Sequence, residues 1–224
     1  MNITGQLQSI WNELPAGVRL VAVSKLHPTE MILEAYKAGQ KIFGENKAQE
    51  LAKKYEDLPK DIEWHFIGHL QTNKIKYIIP FVAMIHSIDS EKLLLEVNKN
   101  AQKAGRKVNV LLQIHIAKEE TKYGFSPEEC LDLLNSGVHK TLDAVCIRGL
   151  MGMATFTEDM TAVRSEFNML SSFFKKLKQD FFSSAPDFNE LSIGMSEDYH
   201  EAIAAGSTLV RIGSKIFGER QYYS

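Results

Sequence analysis

Apolar, β-rich runs recur along the chain in a steady rhythm. They fall at Arg19–Val23, Lys41–Phe43, Glu63–Ile67, Met84–Ile88, Val108–Ile116, Ala144–Leu150, Glu190–Ile193 and Thr208–Ile212. Between them the apolar positions recur at helical spacing. The helices this predicts are Thr29–Lys37, Ala48–Tyr55, Thr72–Ile79, Ser90–Ala104, Pro127–Asn135, Glu158–Phe181 and Ser196–Ala204. A further helix, Ile3–Leu14, precedes the first strand. Gly39, Gly105 and Gly206 each follow an alanine at a predicted helix end, where glycine takes left-handed backbone angles at little cost. Thr29, Ser90, Ser126 and Ser196 stand at predicted helix starts, each followed by an acidic residue in the first turn.

Strands that alternate with helices imply a parallel sheet. Eight such units predict an α/β fold closed as a single (β/α)8 TIM barrel. The competing architecture, an open doubly wound sheet, calls for a glycine-rich dinucleotide turn after the first strand. That turn here runs Val23 to Pro28 and has no glycine. No linker divides the chain, since Phe182–Asp187 is too short, so residues 1–224 are read as one domain.

In such a barrel the active face lies at the C-terminal ends of the strands. That places Ser24, Lys25, Gly44, Glu45, Asn46, Gly68, His69, Ser87, Asp89, Met151, Met195, Ser196, Arg211, Gly213 and Ser214 on it. The densest stretch is Leu191–Gly218. Ser196 and Gly213-Ser214 follow the last two strands and are read as helix starts. Unpaired N–H groups and the helix dipole make such positions an anion site, and Gly213 lets backbone approach the anion closely. This fold usually holds phosphate on the same two loops.

Lys25 directly follows the first strand. An amine partly out of water gives up its proton more easily and attacks an aldehyde. A Schiff-base lysine facing a phosphate site meets the needs of pyridoxal phosphate. The competing reading is a lysine that snorkels at a strand end, with the barrel holding some other phosphorylated metabolite. Arg211 precedes the phosphate loop. As a pure donor it would keep a pyridine nitrogen unprotonated, which makes the ring a poor electron sink. Alternatively it binds the phosphate or a surface carboxylate.

His65 and His69 are four apart, but the segment reads as a strand entering a loop, so no metal pair is expected. KIFGEN at 41–46 and KIFGER at 215–220 occupy different places in the rhythm and read as coincidence. Glu119, Glu120 and Lys122 read as a solvated loop. The 224 residues are 44% apolar with net charge −2, enough for a full core and without a basic footprint for nucleic acid. Cys130 and Cys146 read as buried thiols in a reducing compartment. The N-terminus has no signal-peptide pattern and no segment is apolar enough to span a membrane, so a cytoplasmic protein is expected.

Together LVAVSKLHP, IFGENKAQE, WHFIGHLQTNK, AKEETKYGF, RGLMGMAT, LSIGMSEDYHEAI and GSTLVRIGSKIFGER resemble the pyridoxal-phosphate-binding homeostasis proteins of the YggS/PROSC type. That family is related to the alanine racemase barrel domain, so the resemblance implies a barrel of the alanine racemase N-terminal-domain type. It implies that Lys25 is the Schiff-base lysine, that Arg211 faces the pyridine nitrogen, that Ser196, Gly213 and Ser214 hold the phosphate, and that Asn46 lies beside the cofactor. Lys122 matches a lysine linked to cofactor handling. His115 stands where relatives usually have asparagine, a departure local to the fifth strand. The implied role is in vitamin B6 homeostasis and supply, without enzymatic activity, by a monomer whose partners are pyridoxal 5'-phosphate and apo forms of enzymes that use it. The alternative is a racemase-like enzyme. The chain stops at Ser224 without the β-rich domain that supplies a racemase with its tyrosine base, which counts against it.

Overall fold

The computed structural model describes residues 2–119 and 123–218. Eight parallel strands form a closed barrel in chain order: β1 (Arg19–Val23), β2 (Ile42–Glu45), β3 (Glu63–Phe66), β4 (Met84–Ile88), β5 (Val108–Gln113), β6 (Val145–Met151), β7 (Glu190–Ser192) and β8 (Leu209–Ile212). The helices are α1 (Ile3–Glu13), α2 (Thr29–Lys37), α3 (Ala48–Asp57), α4 (Ile75–Ile78), α5 (Glu91–Lys103), α6 (Pro127–Asn135), α7 (Met160–Asp180), α8 (Tyr199–Ala204) and α9 (Ser214–Phe217). The expected barrel is therefore the observed one. The ring closes where β1 pairs with β8, with Val21 opposite Arg211 and Ala22 opposite Ile212.

Differences from the sequence reading lie at element ends. β2 runs two residues later than expected, through Gly44 and Glu45. β5 stops at Gln113, and beyond it Ile114 makes only an isolated bridge with Phe125. Ser196 does not start a helix. It sits in a turn, and α8 begins three residues later, because Asp198 accepts the Met195 N–H and closes that turn first. Cys130 is buried, and burial pushes its thiol up to about 12. Cys146 is only half-buried, so the expectation of two buried thiols holds for one. KIFGEN lies on β2 and its following loop, whereas Lys215–Phe217 belongs to α9, so the two stretches share no structural role.

Most apolar side chains pack between the barrel and its helices, with Phe43, Trp64, Phe167 and Phe217 wholly or almost wholly buried. A second, smaller cluster of Val21, Met84, Leu111, Met151 and Leu209 fills part of the barrel interior. The rest of that interior is polar. Arg19 pairs with Glu190 near its base, and His65, His86, Ser192 and Arg211 lie buried above. No described helix is long and apolar enough to cross a membrane.

On α7 the buried and exposed faces should separate cleanly in stability. Phe167→Ala, at a site with no exposed surface, is expected to cost about 3–5 kcal/mol by cavity formation. Met169→Ala, half exposed two residues on, should stay within about 0.5 kcal/mol. Urea unfolding of both variants measures the contrast.

Candidate functional site

Every residue that the sequence placed in a cofactor site faces one cavity. Lys25, Asn46, Ser196, Arg211, Gly213 and Ser214 line a space of about 690 Å³ at the C-terminal end of the barrel. The loop after β6, from Met153 to Thr157, forms another wall, which sequence reasoning missed. His69 and Asp89 are on the same end of the barrel but outside this cavity wall. They bond to each other at 2.9 Å, with the His69 ring stacked on Tyr123. No group of three or more His, Cys, Asp or Glu that could hold a metal occurs among the described residues. His115, after β5, contacts Ala117 O through Nε2 at 2.8 Å. Lys122 and Glu120 lie outside the described residues.

The anion corner forms where the loops after β7 and β8 meet. Gly213 N donates to Ser196 Oγ at 3.4 Å, which ties the two loops together. A side chain at Gly213 would place its Cβ 3.0 Å from Val23 O and 3.2 Å from Val23 Cβ. Glycine fits without crowding here, where this loop leans on the end of β1. Ser214 and Lys215 open α9, and their N–H groups have no partner within that turn.

Lys25 sits in a turn held from below by buried charge. Lys54, only 6% exposed, donates from Nζ to Ser24 O at 2.8 Å, to Glu45 Oε1 at 2.7 Å and to Glu50 Oε1 at 2.7 Å. Ser24 Oγ donates to Glu45 Oε1 at 2.6 Å, and Leu26 N donates to Glu50 Oε1 at 2.7 Å. Leu26 has φ of 65°, a left-handed conformation that a branched side chain avoids. These bonds hold it there, on either side of Lys25. Glu45 Oε2 is buried and has no partner among the described residues, and burial pushes the Glu45 carboxyl up to about 7 against the pull of Lys54. Glu50 and Lys54 are four apart on α3, so in sequence they look like an ordinary solvated pair.

Arg211 is buried in the barrel and, among the described residues, bonds only to neutral acceptors. Its Nη1 donates to Ser192 O at 2.7 Å and Ser192 Oγ at 2.8 Å, and its Nη2 to Gly152 O at 3.0 Å. Three bonds leave two of the five guanidinium N–H groups unused. Burial lowers Arg211 to about 10, with Asp198 opposing the shift, so it stays charged at neutral pH. Asn46 Oδ1 is likewise buried and has no partner among the described residues.

Arg211 with its spare donors, Asn46, the helix start at Ser214 and Lys25 all line one cavity. The model of the alanine racemase N-terminal domain matches residues 2–221 of the chain. A pyridoxal phosphate homeostasis protein of Aquifex aeolicus is 42% identical over 91% of this chain and 88% of its own length. The chain belongs to this family. The human pyridoxal phosphate homeostasis protein is 40% identical over 94% of this chain and 80% of its own. PipY of Synechococcus elongatus, in a structure with PLP bound, superposes with a TM-score of 0.85 at 36% identity, covering 96% of this chain and 100% of that one. Alanine racemase of Clostridium difficile shares the fold, with a TM-score of 0.76 at 15% identity. This chain matches along its full length but spans 57% of that enzyme.

The buried Glu45 carboxyl gives a pH test. Its folded value lies above its unfolded one. Between about pH 4.5 and 7 the folded state therefore holds a proton that the unfolded state does not. Stability from this group is present at low pH and is lost as pH rises through 7. Glu45→Gln removes that loss. Relative to the parent, the variant should gain on the order of 2 kcal/mol between pH 5 and pH 8. Urea midpoints at the two pH values read it, and a pH-independent difference would mean that Glu45 titrates as an ordinary carboxyl.

Proposed function

We propose that the chain binds pyridoxal 5'-phosphate as a Schiff base on Lys25 and serves vitamin B6 homeostasis and supply, as a cytoplasmic monomer that does not turn over a substrate. One observation carries this reading. Lys25 after β1, Arg211 on β8 and the tied Ser196 and Gly213-Ser214 loops face a single cavity. The PLP-bound PipY structure, at 36% identity, supports the choice of ligand.

The residues present fit that group. The phosphate would rest on the N–H groups of Ser214 and Lys215 beside Ser196 and Gly213. The spare N–H groups of Arg211 suit the ring nitrogen, and Asn46 Oδ1 would gain the partner it lacks. When bound, the cofactor supplies an aldehyde that condenses with primary amines. Arg211 keeps its own proton, so the ring nitrogen stays uncharged and withdraws electrons weakly. That disfavours the racemase-like alternative, because a carbanion beside the imine gains little from such a ring.

Borohydride reduction of the holo-protein should fix the cofactor to the peptide that contains Lys25, and Lys25→Ala should lose that adduct. An adduct on Lys74 or Lys215 in the parent would refute the assignment.

A carrier should also leave amino acids intact. Single-enantiomer amino acids incubated with holo-protein in deuterium oxide should keep their α-protons, while the same holo-protein reactivates an apo enzyme that uses the cofactor. Sustained exchange at roughly 1 per second or faster would restore the racemase-like reading.

A further inference from the structure

The acceptors of Arg211 belong to a longer chain of buried polar groups. Ser192 Oγ, which takes one Arg211 bond, lies 3.0 Å from His86 Nδ1. His86 Nε2 lies 2.9 Å from His65 Nδ1. Ser192 and His86 have no exposed surface and His65 is 2% exposed. The chain crosses the barrel interior from β8 through β7 and β4 to β3. Neither histidine lines the cavity, and the chemistry proposed for the site uses neither.

Arginine can only donate. Ser192 Oγ therefore accepts from Arg211, and its own proton has to go elsewhere. The acceptor in reach is His86 Nδ1. His86 then carries its proton on Nε2 and donates it to His65 Nδ1, which leaves the His65 proton on Nε2. The reverse order gives the serine oxygen two donors and strands its hydroxyl proton without an acceptor among the described residues. A protonated imidazole would break the chain as well, since both its nitrogens donate. Burial guards against this. It pushes His65 down to about 3 and His86 well below its ordinary value, and the charge of Arg19 acts the same way on both, joined at His86 by Arg211.

We propose that His65, His86 and Ser192 are positioning residues: a one-directional hydrogen-bond chain that holds the Arg211 guanidinium in one orientation, with its unused N–H groups left for the cavity. What those groups face rests on the cofactor reading above. The orientation itself does not. A serine free to rotate could turn its own O–H toward the arginine and repel it. With its proton committed to His86, it presents a lone pair instead.

The cofactor-free chain tests the orientation directly. Nitrogen-15 NMR at pH 7 should show both imidazoles neutral and protonated on Nε2. His86→Leu removes the acceptor for Ser192 and should speed rotation of the Arg211 guanidinium about tenfold. His86→Asn, whose Oδ1 can stand in for Nδ1, should restore the slow rate. If His86→Leu does not fold, Ser192→Ala removes the same link without touching either ring. A proton on His86 Nδ1 overturns the proposal, as does a parent-like rotation rate in the Leu or Ala variant. In the protein loaded with pyridoxal 5'-phosphate, the absorbance maximum should shift in the Leu variant and return in the Asn variant. If the parent takes up no cofactor, the cofactor reading fails by itself, and the tautomers and rotation rates still decide this one.

Discussion

The site depends on the pairing that closes the ring. β1 and β8 come from opposite ends of the chain, and their register sets Val21 beside Arg211 and Ala22 beside Ile212. Only through that pairing does the turn bearing Lys25 stand next to the loop bearing Gly213. The fit is close, because a single added carbon at Gly213 would press on the last residue of β1. A parallel pairing between chain ends closes a long loop and is a contact of high sequence separation. The closeness of the lysine and the anion corner thus depends on the closed ring.

Two buried cations flank this junction, and the structure treats them oppositely. Lys54 is surrounded by carboxylates, with Glu45 and Glu50 each at 2.7 Å. Its charge is consumed locally, and what remains is a rigid support for the Ser24–Leu26 turn. Arg211 has carbonyl and hydroxyl oxygens for partners and no carboxylate within ion-pair distance among the described residues. Its charge stays uncancelled and two donors stay unused. A buried cation in that state is costly unless something else satisfies it, and the open side of Arg211 is the cavity. The contrast marks Lys54 as scaffold and, under the proposed function, Arg211 as binding surface.

The sequence carried the barrel because its information is periodic: apolar runs, helical spacing and glycine at helix ends are all local. It carried Lys25, Arg211 and Gly213 because the fold puts function at strand ends, so their positions along the chain are also their positions in space. What it did not carry is set across the barrel. Lys54 sits on a helix with a carboxylate four residues before it, a pattern that ordinarily means solvent. Only packing shows that its amine reaches the carbonyl of Ser24. His86 left a readable trace, a lone imidazole at the centre of MIHSI in an all-buried strand. Its partners, though, come from β3 and β7, and no single-strand pattern names them. Ser196 was misread as a helix start because serine before acidic residues is a common capping pattern. Here Asp198 closes a turn first, and Ser196 is left to tie two loops together.

The remaining question is how a ligand so held would also be released. The proposed attachments follow β1, β2, β7 and β8. A further wall is the loop after β6, the neighbour of β7, and hydrogen bonds fix it. Thr155 gives its N–H and its hydroxyl to the two oxygens of Glu166 on α7, both at 2.7 Å, and accepts the Lys118 N–H at 2.9 Å. Yet Phe156, next along, is 90% exposed on the rim. Among the described residues this rim is anchored through Thr155 while its neighbouring aromatic side chain faces solvent. Under the proposed function, water and amines would reach the imine past this rim. Retention has to come from the anion corner and the lysine. An enzyme that must shield a reactive carbanion gains from covering this mouth, whereas a carrier gains from leaving it clear.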